Sequence, residues 1–466
     1  MKRKDDKGTD DMGIKNRIKN RGTILIFRVA LIILFVFLSI WLIISLIDPW
    51  DKKPVRVAEK GPAETVYSWV NDVSFSELSF EEQLTALTIV SYGKSDHRAI
   101  HSVAVAPDGS VYAVGSAYAT DGSSESLYFG SAVIVKYDSN LNQQNMVFFD
   151  SSNSSFRSLA IASDGSIYVV GDTGLFIYQA VIVKYDSNLN QQSTATWGGN
   201  GSSSFVSVAI APDGSVYAAG DSQSTDADFV NKGEDDAIIV KYDKNLKKKS
   251  IASWGGSHFD RFTSVAVAPD GSVYASGHSH SKDAGAGFER NGNWRLVLIV
   301  KYDKNLKQQN VVVWGDPESS DCKSMAIASD GSIYVVGSIG GVYTTGRAII
   351  MKYDNNLVQQ NMVALGDSDF SVFHSVAIAS DGSVYASGVS RSTDAGFKNR
   401  GANDAIIAKY DSNLNQLNIA TWGGSDNDRF TSIAVSSNGS VYASGYSYST
   451  DAGFAGDGSM YYVIIK

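Results

Sequence analysis

Seven copies of one short segment constrain this chain more than anything else in it. The stretch SVAVAPDGSVYAVG at residues 102–115 returns with small changes through to SIAVSSNGSVYASG at 432–445, at intervals of 49 to 60 residues. A period of this length, with two short strands around an Asp-Gly-Ser turn and two more strands after them, is the pattern of blades arranged in a ring. A chain of 466 residues is also long enough for two ordinary domains, but the repeat decides for the ring. The lone Cys322 excludes an intramolecular disulfide and any multi-cysteine metal centre, so stability has to come from packing and strand pairing.

Each unit carries four strand signals rich in Val, Ile, Tyr and Ala and bounded by turn residues. In the third unit they are SVAIA at 207–211, SVYAAG at 215–220, AIIVKY at 237–242 and SIASW at 250–254. Pro212-Asp213-Gly214 joins the first pair as a tight hairpin in which Gly supplies a positive φ, and Asp243-Lys244-Asn245-Leu246 turns the second pair. Ala104, Ala160, Ala209, Ala266, Ala326, Ala377 and Ala434 are always alanine on the first strand, whereas the end of the fourth carries Tyr92, Phe149, Trp197, Trp254, Trp314, Leu365 and Trp422. Small residues suit a crowded hub and large ones the wider gaps outside it, so the first strand is expected innermost and the fourth outermost.

The seventh unit stops at Lys466, aligned with Lys136, Lys184, Lys241, Lys301, Lys352 and Lys409, and so lacks its fourth strand. LTIVSYG at 87–93 matches SIASWGG at 250–256 and precedes the first repeat. The expected fold is therefore all-β: a seven-bladed β-propeller of four-stranded antiparallel blades, closed by an N-terminal strand that completes the last blade.

Ahead of the propeller, residues 29–47 run for 19 positions without a charge, and 23–27 prolong the apolar stretch. That length spans a bilayer. Nine basic against four acidic residues before it leave +5, which predicts an N-terminus held in the cytoplasm. The exit SLIDPWDKK lacks the small-residue pattern of a cleavage site, so an uncleaved anchor is expected. The organisation read from the sequence is a basic cytoplasmic tail (1–22), a transmembrane helix (23–47), an extracytoplasmic stalk (48–85) and the propeller (86–466). It describes a single-pass protein of the cell membrane with its propeller outside. Of the formal charge of −9, the first 28 residues hold +5, so the remainder carries −14. An acidic ectodomain excludes nucleic acid as a natural partner, because phosphate binding needs clustered Lys and Arg.

The repeats resemble the bacterial β-propeller repeat family (SBBP-like repeats), whose units read GGSxxDxxxSIAVDxxGNVYVTG followed by a DAFVAKYD strand. The matching residues are WGGSDNDRFTSIAVSSNGSVYASG at 422–445 and DAIIAKYD at 404–411, and the likeness extends over 87–466. It implies a secreted or surface propeller with no common catalytic activity. Ser often replaces the Asp and Asn around the first turn, a departure that touches turn detail only.

Strands alternate in direction, so one face of the ring collects the uniform Asp-Gly-Ser and Asp-x-Asn-Leu turns and the other collects connections that vary in length and chemistry. Function is expected on the variable face. The uniform face is where the 87–93 strand enters, so the variable face should point away from the membrane.

His278 and His280 form an H-x-H there, with Asp283 after them and His258 in the preceding inter-blade loop. Together they are candidate ligands for a divalent metal, the one cofactor the pattern suggests. Asp260-Arg261 and Asp428-Arg429 recur at equivalent positions and read as bridges between blades. Phe229, Phe288, Phe397 and Phe454 recur too and read as plugs under their loops. Aromatics that do not recur, Tyr118, Tyr128, Phe129, Tyr178, Trp294, Tyr343 and Tyr448, are the candidates for contact with a ligand. His101, Arg157, Lys323 and His374 begin innermost strands and are placed to rim the central channel. No nucleophile elbow, H-E-x-x-H, Walker A or dinucleotide fingerprint occurs. The expected activity is non-enzymatic binding or adhesion to a polysaccharide or protein. The alternatives are an envelope hydrolase or lyase using Asp and His of the same loops, or a structural subunit of an envelope assembly.

Overall fold

The computed structural model describes residues 66–67, 88–92, 98–118, 130–149, 153–226, 228–229, 231–283, 295–315, 319–340, 346–366, 369–394, 396–453 and 459–466. The expected tail, transmembrane helix and most of the stalk lie outside the described residues. No helix among the described residues is long and apolar enough to cross a membrane.

The described chain is a seven-bladed β-propeller. Six blades are four-stranded antiparallel sheets in sequence order, and the seventh is built on Asp428–Val435, Val441–Ser447 and Tyr461–Ile465. In the third blade the strands are Ser203–Ile210, Val216–Ser222, Asp236–Tyr242 and Lys248–Trp254. First strands of successive blades touch one another around the whole hub, including Asp428–Val435 of the last against Arg98–Val105 of the first. Ile89–Tyr92 pairs antiparallel with Tyr461–Ile465 in the register Ile89↔Ile465 to Tyr92↔Tyr462. Val66–Tyr67, within the stretch read as stalk, pairs in turn with Ile89–Tyr92.

Apolar runs on the second and third strands dictate this arrangement. Val216–Ser222 is buried at every position, and Asp236–Tyr242 at all but Lys241. Successive side chains of a strand project to opposite faces, so both faces of each sheet are apolar and both need cover. Tyr217 and Ala219 enter one core cluster with Phe262 of the next blade, while Val216 and Ala218 enter another with Trp197 of the preceding one. Seven such clusters fill the seven seams.

Each seam is also latched at the uniform face. The Tyr217 hydroxyl and the Lys241 ammonium both donate to the Lys304 carbonyl in the outer turn of the next blade, at 2.8 and 2.7 Å. Tyr112, Tyr168, Tyr274, Tyr334 and Tyr442 make the same bond to the outer turns that follow them. The Tyr385 ring carries the Lys409 ammonium over its face at 5.3 Å. The recurring Tyr and Lys of the repeat are thereby accounted for.

The outer turn holds a conformation that its sequence conceals. Leu141, Leu189, Leu246, Leu306, Leu357 and Leu414 all take φ between 62° and 67°, a left-handed conformation disfavoured for a residue with a branched side chain. Two features hold it. The preceding aspartate accepts the N–H groups of the residues two and four positions on, as Asp243 does from Asn245 and Lys247 at 3.0 Å. The leucine side chain is then buried, 6% exposed at Leu246, in the seam. Loss of that packing costs about 2–4 kcal/mol, while glycine at this φ recovers about 1 kcal/mol relative to alanine. Urea denaturation should therefore find Leu246→Gly at least as stable as Leu246→Ala, the reverse of the order seen in ordinary strands. Alanine clearly above glycine would show that the turn carries no left-handed strain.

Candidate functional site

One register shift, repeated in every first strand, builds the inner wall of the variable face. Pairing slips by one between Ile100 and Ser102, Phe156 and Ser158, Phe205 and Ser207, Phe262 and Ser264, Cys322 and Ser324, Phe373 and Ser375, and Phe430 and Ser432. The extra residue of each β-bulge is His101, Arg157, Val206, Thr263, Lys323, His374 or Thr431, so the four basic residues marked in the sequence occupy one structural position, although burial keeps His101 and His374 neutral. The facing strand must come very close. A Cβ on Gly171 would lie 1.8 Å from the Ser155 carbonyl oxygen, and one on Gly220 1.9 Å from that of Ser204. This steric demand fixes the glycine that ends each second-strand motif.

The residue after that glycine is free to vary, and there the chemistry differs from blade to blade: Ser116, Asp172, Asp221, His278, Ser338, Val389 and Tyr446. Together with the bulge residues it lines a cavity of about 590 Å³ over the first three blades, bounded by His101, Arg157, Asp172, Tyr178, Asp221, Asp235 and Arg261. Asp172 accepts from Arg157 Nε at 2.5 Å and from Ser204 Oγ at 2.9 Å. Arg261 reaches across a seam to Asp221, Nε to Oδ1 at 2.8 Å and Nη2 to Oδ2 at 3.1 Å. Burial pushes the Asp221 carboxyl above its ordinary value against the opposing pull of the Arg261 guanidinium. Asp235 is 9% exposed and its Oδ1 has no hydrogen-bond partner. Burial, reinforced by the Arg157 charge, pulls His101 down to about 4 and leaves it neutral at pH 7.

A second cluster lies where the fourth blade meets the fifth. Asp321 faces Lys323 Nζ at 2.5 Å, Arg295 Nη1 at 2.9 Å and His278 Nδ1 at 3.4 Å. Burial alone would raise its carboxyl, but the His278 imidazole and the Lys323 and Arg295 cations outweigh burial and hold it far below the carboxylate range. Burial lowers His278, with Asp321 working against it.

The four candidate metal ligands engage different partners. His278 turns to Asp321; His280 stands edge-on to it, ring centroids 6.1 Å apart, and accepts from Arg295 Nε at 3.4 Å. His258 is exposed; its backbone N–H donates to Ser281 Oγ, and its ring lies near enough to Asp283 to act on that carboxyl. Asp283 fastens a turn by accepting from the Ser257 N–H and Oγ, as Asp451 does for Ser425 in the seventh blade. Among the described residues no three His, Cys, Asp or Glu side chains come together to hold a metal.

Of the seven candidate aromatics, Tyr178 lies at the cavity rim, 40% exposed, with Asn153 Nδ2 3.4 Å from its hydroxyl. Beside it Leu175, Phe176 and Ile177 are also exposed, Phe176 to 94%, which sequence reading overlooked. Tyr448 packs edge-on against Tyr446 and meets Met460 Sδ at 3.2 Å. Tyr118 ends the strand Val111–Tyr118; Tyr128, Phe129, Trp294 and Tyr343 lie outside the described residues. Phe229 packs on Trp197 and Phe397 is buried in a seam, whereas Phe288 and Phe454 lie outside the described residues. The two Asp-Arg repeats diverge: Arg261 has Asp221 opposite, but Arg429 stacks over Tyr446 at 5.6 Å.

The neutral state of His101 has a measurable consequence. Its folded value near 4 lies below the ordinary 6.5, so its contribution is complete above pH 6.5 and is lost as pH falls toward 4. The slope for one such group is about 1.4 kcal/mol per pH unit. Denaturation midpoints between pH 7 and 4.5 should fall less steeply for His101→Gln than for the wild type, and equal slopes would contradict the assignment.

No protein-family model matches the sequence, and no curated protein is similar to it. Solved structures with a related chain path include hydrazine synthase of Kuenenia stuttgartiensis, with 11% identity over 76% of this chain and 94% of that one at a TM-score of 0.49. The Pan2 WD40 domain of Neurospora crassa shares 8% identity over 79% and 89% of the two chains, with a TM-score of 0.47. A protein of unknown function from Dyadobacter fermentans shares 12% over 80% and 96%, with a TM-score of 0.44. The propeller assignment rests on the strand pairing described above.

Proposed function

We propose that this chain is a membrane-anchored binding module that holds a polysaccharide or a protein at the channel-mouth cavity and the loops around it. The observation that carries the reading is the cavity itself. It is recessed, lined by hydroxyl, carboxylate and guanidinium groups, and rimmed by the exposed Tyr178. Several carboxylates and a histidine over a channel mouth also suit a hydrolase or lyase. Their pairing supports binding instead: Asp172 is held by Arg157 and Asp221 by Arg261, which leaves Asp235 without a second free carboxylate beside it for acid–base work. The apolar stretch at 23–47 and the basic residues before it support an uncleaved anchor with the propeller outside the membrane. Glycan arrays and cell-envelope fractions probed with the purified full-length chain test the binding reading. Retention by at least one of them, weakened at least tenfold by Tyr178→Ala, is expected; silence in both would overturn it.

The same reading makes the 89–92 strand the clasp of the ring. Its support is that Ile89 and Val90 are 4% and 1% exposed and enter the core clusters of the two seams flanking the last blade. Val90→Asp would bury an unpaired charge there and should cost about 3 kcal/mol or more. A thermal melt indistinguishable from wild type would remove this strand from the folded ring.

A further inference from the structure

We infer that the channel-mouth cavity takes an organic cation, a ligand group carrying a protonated amine, with the Asp235 carboxylate as its counter-ion. This rests on the binding reading above and adds the chemistry of what is bound.

Three carboxylates and two guanidinium groups face the cavity. Arg157 answers Asp172 and Arg261 answers Asp221, each within 3 Å. Asp235 is the third carboxylate of the lining; the Arg261 guanidinium also feels its charge but is committed by hydrogen bond and ion pair to Asp221, so two cations face three carboxylates. The neutral imidazole of His101 supplies none. One negative charge therefore stays uncompensated, and it sits on a side chain 9% exposed whose Oδ1 has no partner. A buried carboxylate oxygen without a partner is unfavourable, so a cation that reaches Oδ1 binds with that cost relieved.

Backbone geometry keeps Asp235 in place. Its carbonyl accepts the Asp260 N–H at 2.8 Å, which pins the start of the third strand across the seam to the fourth blade. Because side chains alternate along a strand, Asp236 is buried in that seam while its neighbour Asp235 lines the cavity. The carboxylate is thus presented by a rigid element, as a preformed counter-ion requires.

Size and surroundings select among cations. A volume of about 590 Å³ suits a small organic group far better than a bare ion, and no third ligating side chain joins two others to hold a metal among the described residues. An anion would meet the net negative charge. A wholly neutral ligand would displace water from Asp235 without replacing its charge. The exposed ring of Tyr178 at the rim offers a face for the carbon skeleton behind the amine or for the cation itself.

An alkylammonium group occurs on amino sugars and on lysine side chains, so the test carries an arm for each. The full-length chain is titrated calorimetrically with a glucosamine tetramer and its N-acetylated form, and with a lysine tripeptide and its Nε-acetylated form. At least one amine probe should bind, identifying the source, and acetylation should weaken it tenfold or more. Asp235→Asn should weaken that amine probe by at least tenfold and leave its acetylated form unchanged. A rise in salt from 50 to 500 mM should do the same to the wild type, a readout that needs no variant to fold. Equal binding of the amine and acetylated forms would overturn the cation assignment while leaving the binding reading intact. So would an absence of binding by all four probes with a chain that is still retained by a glycan array or an envelope fraction. Silence toward probes, arrays and fractions alike would overturn both.

Discussion

Every blade of this protein is a sheet with two apolar faces, and the ring exists because nothing else covers both. A sheet with one apolar face can close against a helix layer; one whose second and third strands are buried end to end needs a neighbour on each side. Seven copies satisfy one another around a closed circuit of seams, and no blade is stable without the next. The tyrosine and lysine that clamp the following outer turn add direction to this cover, since each blade reaches to its successor at a single carbonyl.

That frame confines chemical variety. Turn aspartates, left-handed leucines, seam tyrosines and hub alanines each discharge a packing or hydrogen-bonding demand, so they repeat. The bulge in the first strand creates the opening. It sets one side chain per blade on the channel wall and makes the facing glycine obligatory, which leaves the bulge residue and the residue after the glycine as positions without a packing duty. Arg157 at the bulge of the second blade answers Asp172 after the glycine of the same blade, whereas two further pairs cross seams, Arg261 of the fourth blade with Asp221 of the third and Arg295 of the fourth with Asp321 of the fifth. The pairs tie neighbouring blades together and define the polarity of the cavity. Asp235, set just outside this pattern at the start of a third strand, is the charge they leave over.

The ring, the blade order, the innermost alanines and the Asp-Gly turns were legible in the sequence because each is written seven times with a fixed steric reason. Gly109 and its six counterparts do adopt φ near 80° to 86° in those turns. The bulge was not legible: a one-residue slip between Phe205 and Ser207 leaves the apolar pattern on either side intact. Nor was the left-handed leucine, since leucine carries no sign of positive φ and its burial explains it only once the seam is seen. The ion pairs escaped because Arg261 and Asp221 are 40 residues apart and meet across a seam. A comparison of the residue after each repeated glycine, column by column, would have drawn attention to Asp172 and Asp221. Selecting aromatics by their failure to recur identified Tyr178 at the cavity rim, but it overlooked Phe176 beside it, and it also selected Tyr448, which is occupied with Tyr446.

The division between a uniform, structural face and a variable, ligand-facing one is the centre of this account. Hydrogen–deuterium exchange of the full-length chain, with and without a cell-envelope fraction that retains it, tests that division directly. Protection gained at residues 172–179, 221–226 and 231–236, with the Asp-Gly-Ser turns of six blades and the Asn-Gly-Ser turn of the seventh unchanged, is the predicted result. Protection confined to those turns and to the outer Asp-x-Asn-Leu turns would place the working surface on the opposite face and contradict it.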